Sequence, residues 1–362
     1  MSLTAYQYHL PFKKKLDTSS KTFAYRKGIV LVYQTSSGKK IFGEIAPLPG
    51  FSKNSLDKIE TELQEHVDII IETLKSSSPV VELQKMYDKF TFSPSLTFGL
   101  DTIAYQTTAL DKGINMADIL FSTYNETVPV NTLGNLLSEN VCTEVHQLTR
   151  KGFKTIKFKV GRSIETEYQQ LREIRSTFPE LTIRLDANRA WTLEEAITNC
   201  KLFSPLDIEY LEEPLKRATT QMYKELFQAT NLPLGIDETI IKDDFWPDIL
   251  PFTSHVIIKP MVLGNFKKIF ATNTLANTHD NKTVYTTSLE SGIGRIVTAL
   301  FASGLGSNQS AHGLTTGSLL DRDLIYDSNN IFNGVYQLPF KDIPFSIDSH
   351  ILEQLSQIKL WK

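Results

Sequence analysis

The sequence predicts an α/β protein in which a TIM-type (β/α) barrel follows a smaller α+β domain. The first observation is a repeat: after Val128, short apolar segments alternate with amphipathic helical segments in about eight units of about 25 residues. The second is that the first third of the chain lacks this alternation and places strand-like segments before helical ones. A doubly wound open sheet is the alternative, but no glycine-rich phosphate-binding motif follows any predicted strand.

Composition excludes several classes of function. The chain has 362 residues and a net charge of −3, and no apolar run approaches the ~18 residues of a membrane span. It has no long basic run for nucleic acid, and Lys13–Lys15 is expected in a solvated loop. The N-terminus lacks the apolar core of a signal peptide, and Cys142 and Cys200 have no metal or redox spacing. We expect a cytoplasmic protein that acts on a small molecule, with no nucleic-acid or membrane partner.

Residues 1–115 are predicted to form the α+β domain. Ile29–Tyr33 and residues 40–46 have the pattern of two strands joined by a turn. Pro47–Ser52 follows as a stiff loop with an apolar tip, because prolines restrict the backbone on both sides of Leu48. Helical periodicity begins after Ser55, a predicted N-cap, and recurs over 82–90 and 98–112.

Residues 116–326 are predicted to form the barrel, and residues 327–362 a C-terminal segment that packs back on the N-terminal domain. Apolar runs bounded by turn residues mark the strands. The predicted strands are 128–133, 155–160, 182–187, 208–213, 233–237, 255–260, 283–288 and 309–313. Amphipathic helical segments fill the intervals, for example residues 165–178 and 193–203.

Charged residues cluster at the predicted carboxyl ends of these strands, which is where active sites of such barrels lie. Because side chains alternate along a strand, Lys157 and Lys159 share one face. Carboxylates end the next three strands, and a lysine ends the sixth. The resulting series is Lys157 and Lys159, then Asp186, Glu212 and Asp237, then Lys259.

Three converging carboxylates repel one another unless a cation lies among them. Oxygen ligands favour a hard ion such as Mg²⁺. A divalent ion that binds a substrate carboxylate would stabilise the enediolate formed when the α-proton leaves. A lysine removes that proton only when it is neutral, and the positive charges of Lys157, Lys259 and the metal favour the neutral form of Lys159.

These motifs resemble the enolase superfamily, and the resemblance covers nearly the whole chain. Lys157-Phe158-Lys159 matches the K-x-K motif of its muconate-lactonising subgroup. The three carboxylates match the metal ligands of the D-x-N, E-E/Q-P and D-E motifs, and Lys259 matches the lysine of the sixth strand. By this resemblance the N-terminal unit is a capping domain whose loops close over the barrel, and Mg²⁺ is the cofactor, with Mn²⁺ able to substitute.

Within the superfamily the chain is most similar to the o-succinylbenzoate synthase family. Three segments carry that similarity: residues 43–52, 184–191 and 258–260, with 287–294 similar to the seventh-strand segment. The resemblance implies dehydration of a dicarboxylate, 2-succinyl-6-hydroxy-2,4-cyclohexadiene-1-carboxylate, to 2-succinylbenzoate in menaquinone biosynthesis. Lys159 is then the base and also returns the proton to the leaving hydroxyl, while Lys259 stabilises the enediolate as a cation.

The remaining polar residues near the strand ends receive supporting roles. Arg184 is expected to pair with a ligand carboxylate, Asn188 to hydrogen-bond the ligands or Lys159, and Glu238, which alternates away from Asp237, to orient a lysine. A substrate carboxylate is expected to meet donors of Ser288 and Gly313, and the substrate to contact Leu48 and Phe51. Packing or structural roles are expected for three others, His312, Trp191 and Glu213.

Two alternatives remain open. A dipeptide epimerase or N-acylamino-acid racemase on this scaffold would use Lys159 and Lys259 as two bases. Dipeptide epimerases carry an acidic pair at the eighth strand end, where this chain has none, although Asp321 and Asp323 follow. A non-catalytic, metal-stabilised binding protein is the other alternative, and it would not need lysines flanking the metal.

Overall fold

A computed structural model describes residues 1–17, 22–307, 310–325, 330–339, 347 and 349–361 of the chain. Antiparallel strands and helices come first in the chain, and parallel strands with intervening helices follow. The first seven elements are β1 (Ser2–Asp17), β2 (Thr22–Gln34), β3 (Lys40–Ile45), α1 (Leu56–Lys75), α2 (Pro79–Tyr87), α3 (Pro94–Lys112) and α4 (Met116–Leu120).

The N-terminal region packs its helices on an antiparallel sheet. β1 pairs with β2 and β2 with β3. The Ser55 hydroxyl accepts the Lys58 amide at the start of α1, which confirms the predicted N-cap. Lys13–Lys15 was wrongly expected in a loop: it lies in β1, near a register irregularity after Pro11, and is exposed as expected.

The remaining strands and helices are β4 (Thr127–Pro129), β5 (Thr132–Gly134), α5 (Val141–Arg150), β6 (Thr155–Lys159), α6 (Ile164–Thr177), β7 (Thr182–Asp186), α7 (Leu193–Phe203), β8 (Ile208–Glu212), α8 (Thr220–Ala229), β9 (Leu234–Ile236), α9 (Glu238–Lys242), β10 (His255–Ile258), α10 (Pro260–Leu263), α11 (Phe266–Thr278), β11 (Lys282–Tyr285), α12 (Gly292–Leu305), β12 (Ile331–Phe332), β13 (Val335–Gln337), α13 (Ser349–Glu353) and β14 (Ser356–Ile358). From β5 to α12 every strand is followed by a helix, as a barrel requires, and further short elements lie on either side of this repeat. Short 3₁₀ helices span Ser204–Leu206, Trp246–Phe252 and Thr315–Leu319.

Seven parallel strands form the barrel wall in chain order, from β5 to β11. The two edges of this sheet meet at His312 and Gly313. The His312 carbonyl accepts the amide of Asn131 at 3.0 Å, and the Gly313 amide donates to the carbonyl of Tyr285 at 2.9 Å. The predicted TIM-type fold is confirmed, with the last strand reduced to single-residue bridges. Residue 309 of that predicted strand, 309–313, lies outside the described part of the chain.

Two predicted segments behave differently from expectation. The first predicted barrel strand, 128–133, is divided: β5 joins the barrel, while β4 pairs with β13 in a separate small sheet. Between the two strands, the Val130 amide donates to the Gly334 carbonyl at 3.0 Å and the Pro129 carbonyl accepts the His312 amide at 2.8 Å, so the chain passes here from the small sheet to the barrel. The C-terminal segment is also divided, because β13 pairs with β4 whereas β14 pairs with β1 of the N-terminal sheet.

The apolar core has two main parts, one between the N-terminal sheet and α1–α3 and one extending around the barrel. None of the helices in the described ranges is both long and apolar enough to span a bilayer.

Candidate active site

The parallel register of the barrel strands brings the charged series to one level. Lys159 lies opposite Asp186 on the neighbouring strand, and Asp186 lies opposite Glu212. Asp237 and Lys259 follow β9 and β10 directly. All of these residues and Lys157 line one cavity of about 240 Å³. The prediction that Lys157 and Lys159 share a face toward this mouth is therefore confirmed.

Lys157 links two of the carboxylates. Its ammonium lies 2.8 Å from Asp186 and 2.7 Å from Glu212. Burial opposes the charge of Lys157, but these carboxylates outweigh that effect and raise its pKa well above the usual value. Burial would likewise raise the pKa of Asp186, yet Lys157 and then Lys159 reverse the shift and lower it. Lys157 is thus a fixed cation at neutral pH.

Lys259 is held on the other side of the cavity. Its ammonium bonds Asp237, and the Phe51 ring centroid lies 4.1 Å away. Burial opposes the charge of Lys259, but Asp237 and then Glu238 raise its pKa. Lys259 is therefore also a cation, in contact with an aromatic face that favours positive charge.

Lys159 differs from both. Its side chain is exposed at the cavity, and within the described ranges it takes part in no hydrogen bond or ion pair. The three lysines thus divide into two that are bonded to carboxylates and one that is free to act on a ligand.

The carboxylates carry more negative charge than the bonded lysines neutralise. Burial and then the proximity of other acids raise the pKa of Glu212 well above its usual value, although Lys157 acts against this. Glu238 adds a buried carboxylate oxygen, Oε2, that has no hydrogen-bond partner among the described residues. Among the described residues, no three His, Cys, Asp or Glu side chains are already grouped as metal ligands, and Lys157 and Lys259 occupy oxygens of the three carboxylates. The surplus of buried oxygen donors nevertheless fits a hard divalent cation.

Glu238 lies nearer the site than expected. The sequence argument assumed that the strand continues, so that Glu238 would alternate away from Asp237. Instead helix α9 begins at Glu238, and its side chain lines the cavity. The alternation of a strand therefore does not apply there.

Glu213 has the structural role that was expected of it. Its carboxylate accepts the amides of Asp237 at 2.7 Å and Thr239 at 2.8 Å. Burial raises the pKa of Glu213 to about 8. These bonds hold the turn that carries Asp237.

Arg184 does not pair with a ligand carboxylate as expected. It lies two residues below Asp186, about 7 Å along the strand, where its Nε donates to Glu209 at 2.6 Å. Its other bonded nitrogen donates to the Ala311 carbonyl at 2.5 Å and to Asn131 at 3.3 Å. Its guanidinium carbon lies 4.9 Å from the Tyr210 ring centroid. Arg184 therefore supports the barrel interior beneath the site.

Asn188 contacts a predicted ligand through its backbone: its amide donates to Asp186 Oδ1 at 3.0 Å. Its side chain also lines the cavity. His312 is buried, and its Nδ1 accepts the Tyr285 amide at 3.0 Å. Burial lowers the pKa of His312 to about 3, so it stays neutral. Trp191 is buried and stacks on Phe203, so the structure gives both residues packing roles.

The expected donors to a substrate carboxylate are already used. The Ser288 amide and hydroxyl both donate to Glu290 Oε2, at 2.5 and 2.9 Å. The Gly313 amide closes the barrel by donating to Tyr285. Both residues line the cavity, but neither offers a free backbone N–H. Glu290 turns back on Ser288 because the intervening Leu289 has a left-handed backbone, with φ 67°.

The loop Pro47–Ser52 lies at the barrel mouth. Leu48 and Phe51 line the cavity, and the loop is internally bonded, with the Phe51 and Ser52 amides donating to the Leu48 carbonyl at 3.0 and 2.8 Å. Sequence reasoning missed other wall residues. Leu289 lay within a noted motif, but Leu16 and Leu133 carried no local signal. They line the cavity only because β1 and β5 end beside it.

Comparison with known proteins agrees with this geometry. Residues 140–341 match the family described as Enolase C-terminal domain-like, and residues 1–107 match that described as MenC, N-terminal domain. The chain is 28% identical to the o-succinylbenzoate synthase of Haemophilus influenzae over 81% of this chain and 83% of that protein. It is 29% identical to the o-succinylbenzoate synthase of Vibrio cholerae over 80% and 82%.

Solved structures show the same fold. The N-succinyl Arg/Lys racemase of Bacillus cereus superposes with a TM-score of 0.82 at 19% identity, covering 98% of this chain and 97% of that one. The dipeptide epimerase of Enterococcus faecalis, in complex with Mg and a dipeptide, has a TM-score of 0.80 at 19% identity and covers 93% and 96%. The family match spans more than half of the chain, which is thus an enzyme of the enolase superfamily with a MenC-type N-terminal domain.

Proposed function

We propose that the enzyme dehydrates 2-succinyl-6-hydroxy-2,4-cyclohexadiene-1-carboxylate to 2-succinylbenzoate, a step of menaquinone biosynthesis. The observation that carries this proposal is the inequality of the lysines. Lys159 is unbonded at the cavity, whereas Lys259 is bonded to Asp237 and covered by Phe51. One base and one fixed cation suit a dehydration on one face of the ring. The named bacterial relatives support the same reaction.

The cofactor belongs to this proposal. Asp186, Glu212 and Asp237 would hold Mg²⁺, or Mn²⁺ in its place. When bound, the ion supplies positive charge to the substrate carboxylate. A related epimerase structure contains Mg. The unpartnered oxygen of Glu238 lies beside this donor set and adds to the negative field that attracts a cation.

The residues of the chain divide the reaction between them. Lys159 Nζ takes the proton from the ring carbon that bears the carboxylate, and the C–H electron pair moves toward that carboxylate to give an enediolate. The Lys259 ammonium stabilises the negative charge that develops there. As the electrons return to the ring, the neighbouring C–O bond breaks, and the Lys159 ammonium gives its proton to the departing hydroxyl. Water and an aromatic ring result, and Lys159 is neutral again.

Racemases and epimerases share the fold, so the distinction depends on the eighth strand end. The cavity lining there is Gly313, Thr315 and Thr316. Asp323, which follows, instead accepts the Gly292 amide at 2.8 Å and a guanidinium nitrogen of Arg295 at 2.7 Å. An acid bound to the first turn of α12 cannot hold a substrate ammonium in the cavity, which disfavours the dipeptide epimerase.

The test is a direct assay of the purified enzyme with Mg²⁺. We expect formation of 2-succinylbenzoate, detected by its ultraviolet absorbance and by mass. Excess chelator should abolish it, and Mg²⁺ or Mn²⁺ should restore it. Deuterium exchange and racemisation of N-succinylamino acids are measured in parallel. Faster racemisation than dehydration would show that the substrate assignment is wrong, and full activity in excess chelator would refute the metal.

Lys259→Arg separates the two lysine roles. Arginine keeps the charge and cannot act as a base near neutral pH. We expect Lys259→Arg to retain more dehydration activity than Lys259→Ala, although the larger side chain lowers the rate. Lys159→Ala should abolish dehydration, since it removes the base and the returning proton together. Equal activity of the two Lys259 variants would contradict a purely electrostatic role.

A further inference from the structure

Arg26, in β2, joins the N-terminal domain to the barrel mouth. Its side chain is only 3% exposed. All three guanidinium nitrogens donate to backbone carbonyls from three segments of the chain. The acceptors are Leu289 at 3.0 Å, Lys27 and Pro47 at 2.9 Å each, Ala46, and Ser288 at 3.4 Å.

This arrangement differs from an ordinary buried charge. Buried arginines are usually paired with a carboxylate, but among the described residues Arg26 forms no ion pair within 4.0 Å. Its planar group with five N–H donors suits several carbonyls at fixed angles. Arg26 therefore acts as a cross-link between the start of the loop Pro47–Ser52 and the segment Ser288–Ser291 that follows β11.

Leu289 is the residue on which this cross-link converges. Its φ of 67° is disfavoured for a bulky side chain, and its carbonyl is fixed by Arg26 Nε. Leu289 and Leu48 line the catalytic cavity, and both also line a neighbouring cavity of about 540 Å³. They form the partition between the two.

A second contact holds the segment from its other end. Glu44, in β3, is fully buried, and its carboxylate accepts the amides of Ser291 at 2.8 Å and Gly294 at 2.7 Å. It also accepts the Ser291 hydroxyl at 2.7 Å. With Ser291 fixed by Glu44, the Arg26 contact determines where the Leu289 backbone lies.

We propose that Arg26 is a positioning residue that sets the partition formed by Leu48 and Leu289, and through it the fit of the non-reacting part of the substrate. This inference rests on the proposed function only for the choice of substrate. Because the partition binds the substrate but does not react with it, loss of Arg26 weakens substrate binding more than it slows the chemical step.

The test compares Arg26→Gln with a matched control. Arg175, in α6, also donates to five backbone carbonyls, but these belong to residues 178–181 and 206–207 at the barrel periphery. For Arg26→Gln we expect KM to rise about tenfold, the factor that one charge-assisted hydrogen bond typically contributes. The turnover number and the Mg²⁺ affinity should change far less. Arg175→Gln should lower the thermal midpoint and leave KM unchanged.

Two substitutions at Leu289 give a further test, because their KM values should differ only if Arg26 holds the Leu289 backbone. In the Arg26→Gln background, Leu289→Ala removes the side chain and keeps the disfavoured backbone, whereas Leu289→Gly removes both. If Arg26 acts by holding this backbone, the glycine variant should have the lower KM of the two. Equal KM values, or an Arg26→Gln variant with unchanged KM, would overturn the proposal.

Amide hydrogen exchange is measured without substrate, so it tests the role of Arg26 independently of the proposed function. Arg26→Gln should speed amide exchange in residues 46–52 and 287–291, and Arg175→Gln should not. If the wild type fails to dehydrate the diene but this exchange difference is observed, the substrate is wrong and the cross-link stands. If the wild type is active and the exchange rates do not differ, Arg26 does not position the segment.

Discussion

We expect Asp101 to make the stability of this enzyme depend on pH between about pH 4 and pH 7. It lies in α3 of the N-terminal domain and is only 1% exposed. Its carboxylate accepts the Phe266 amide, at the first turn of α11 in the barrel, at 2.7 Å and the Tyr87 hydroxyl at 2.9 Å. Burial outweighs these two bonds and raises the pKa of Asp101 from 3.8 to about 7.

The size of the pH effect on the free energy of unfolding follows from the difference between the folded and unfolded pKa values of Asp101. Below about pH 4 the carboxyl is protonated in both the folded and the unfolded states. Between about pH 4 and pH 7 the folded protein holds one more proton than the unfolded chain, so this group lowers the free energy of unfolding as pH rises. Above pH 7 the loss is complete, and at about 1.4 kcal/mol per pH unit it amounts to about 4 kcal/mol.

Asp101→Asn is the perturbation that tests this. The amide can accept the Phe266 N–H and donate to the Tyr87 oxygen, so the contacts remain while the charge is removed. We expect the variant to match the wild type near pH 4 and to exceed it by up to about 4 kcal/mol at pH 8. Urea denaturation of both proteins across this pH range measures the difference in their free energies of unfolding. The contributions of the other titrating groups are common to both proteins and cancel in that difference.

Tyr87→Phe is the matched control. Because the Tyr87 hydroxyl lowers the pKa of Asp101 in the folded protein, removing it should extend the pH-dependent loss of stability to higher pH. A constant difference between wild type and Asp101→Asn from pH 4 to pH 8 would refute the reasoning.

Three further predictions concern the site and the packing of the N-terminal domain. Phe51→Ala removes the ring over Lys259, a contact worth about 2 kcal/mol when desolvated, and should raise KM with Mg²⁺ affinity unchanged; steady-state kinetics and calorimetry decide, and an unaltered KM would count against the role of the loop. Asp237→Asn should weaken Mg²⁺ binding in calorimetry while circular dichroism shows a retained fold, and undiminished affinity would remove Asp237 from the ligand set. Gly43→Ala would place its Cβ 2.3 Å from the Gly99 carbonyl oxygen, so overpacking should cost about 3 kcal/mol in urea denaturation, and an unchanged midpoint would contradict this close approach of β3 and α3.

The order of charges at the barrel mouth was predictable from the sequence because it depends on two short-range regularities. Side chains alternate along each strand, and every strand of a βα repeat ends at the same edge of the barrel. The repeat alone therefore placed Lys159, Asp186, Glu212, Asp237 and Lys259 together. The cap of α1 at Ser55 followed from equally local rules.

The partners of those charges were decided by tertiary structure. Arg184 bonds Glu209 because it lies one layer below the ligands, and the Ser288 donors are taken by Glu290 because Leu289 is left-handed. Glu238 lines the cavity because a helix replaces the strand there. Each outcome depends on a local bend of the backbone or on how far along its strand a residue lies. The alternation of side chains in a strand does not specify either.

The contacts between the domains carried the weakest signal in the sequence. Arg26 and Leu289 are 263 residues apart in the chain, and Glu44 and Ser291 are 247 apart. An isolated arginine or glutamate in a strand gives no local indication of a partner at that distance. These pairs form only when the N-terminal sheet docks on the barrel, because one partner of each lies in a strand of that sheet and the other lies in the barrel segment after β11.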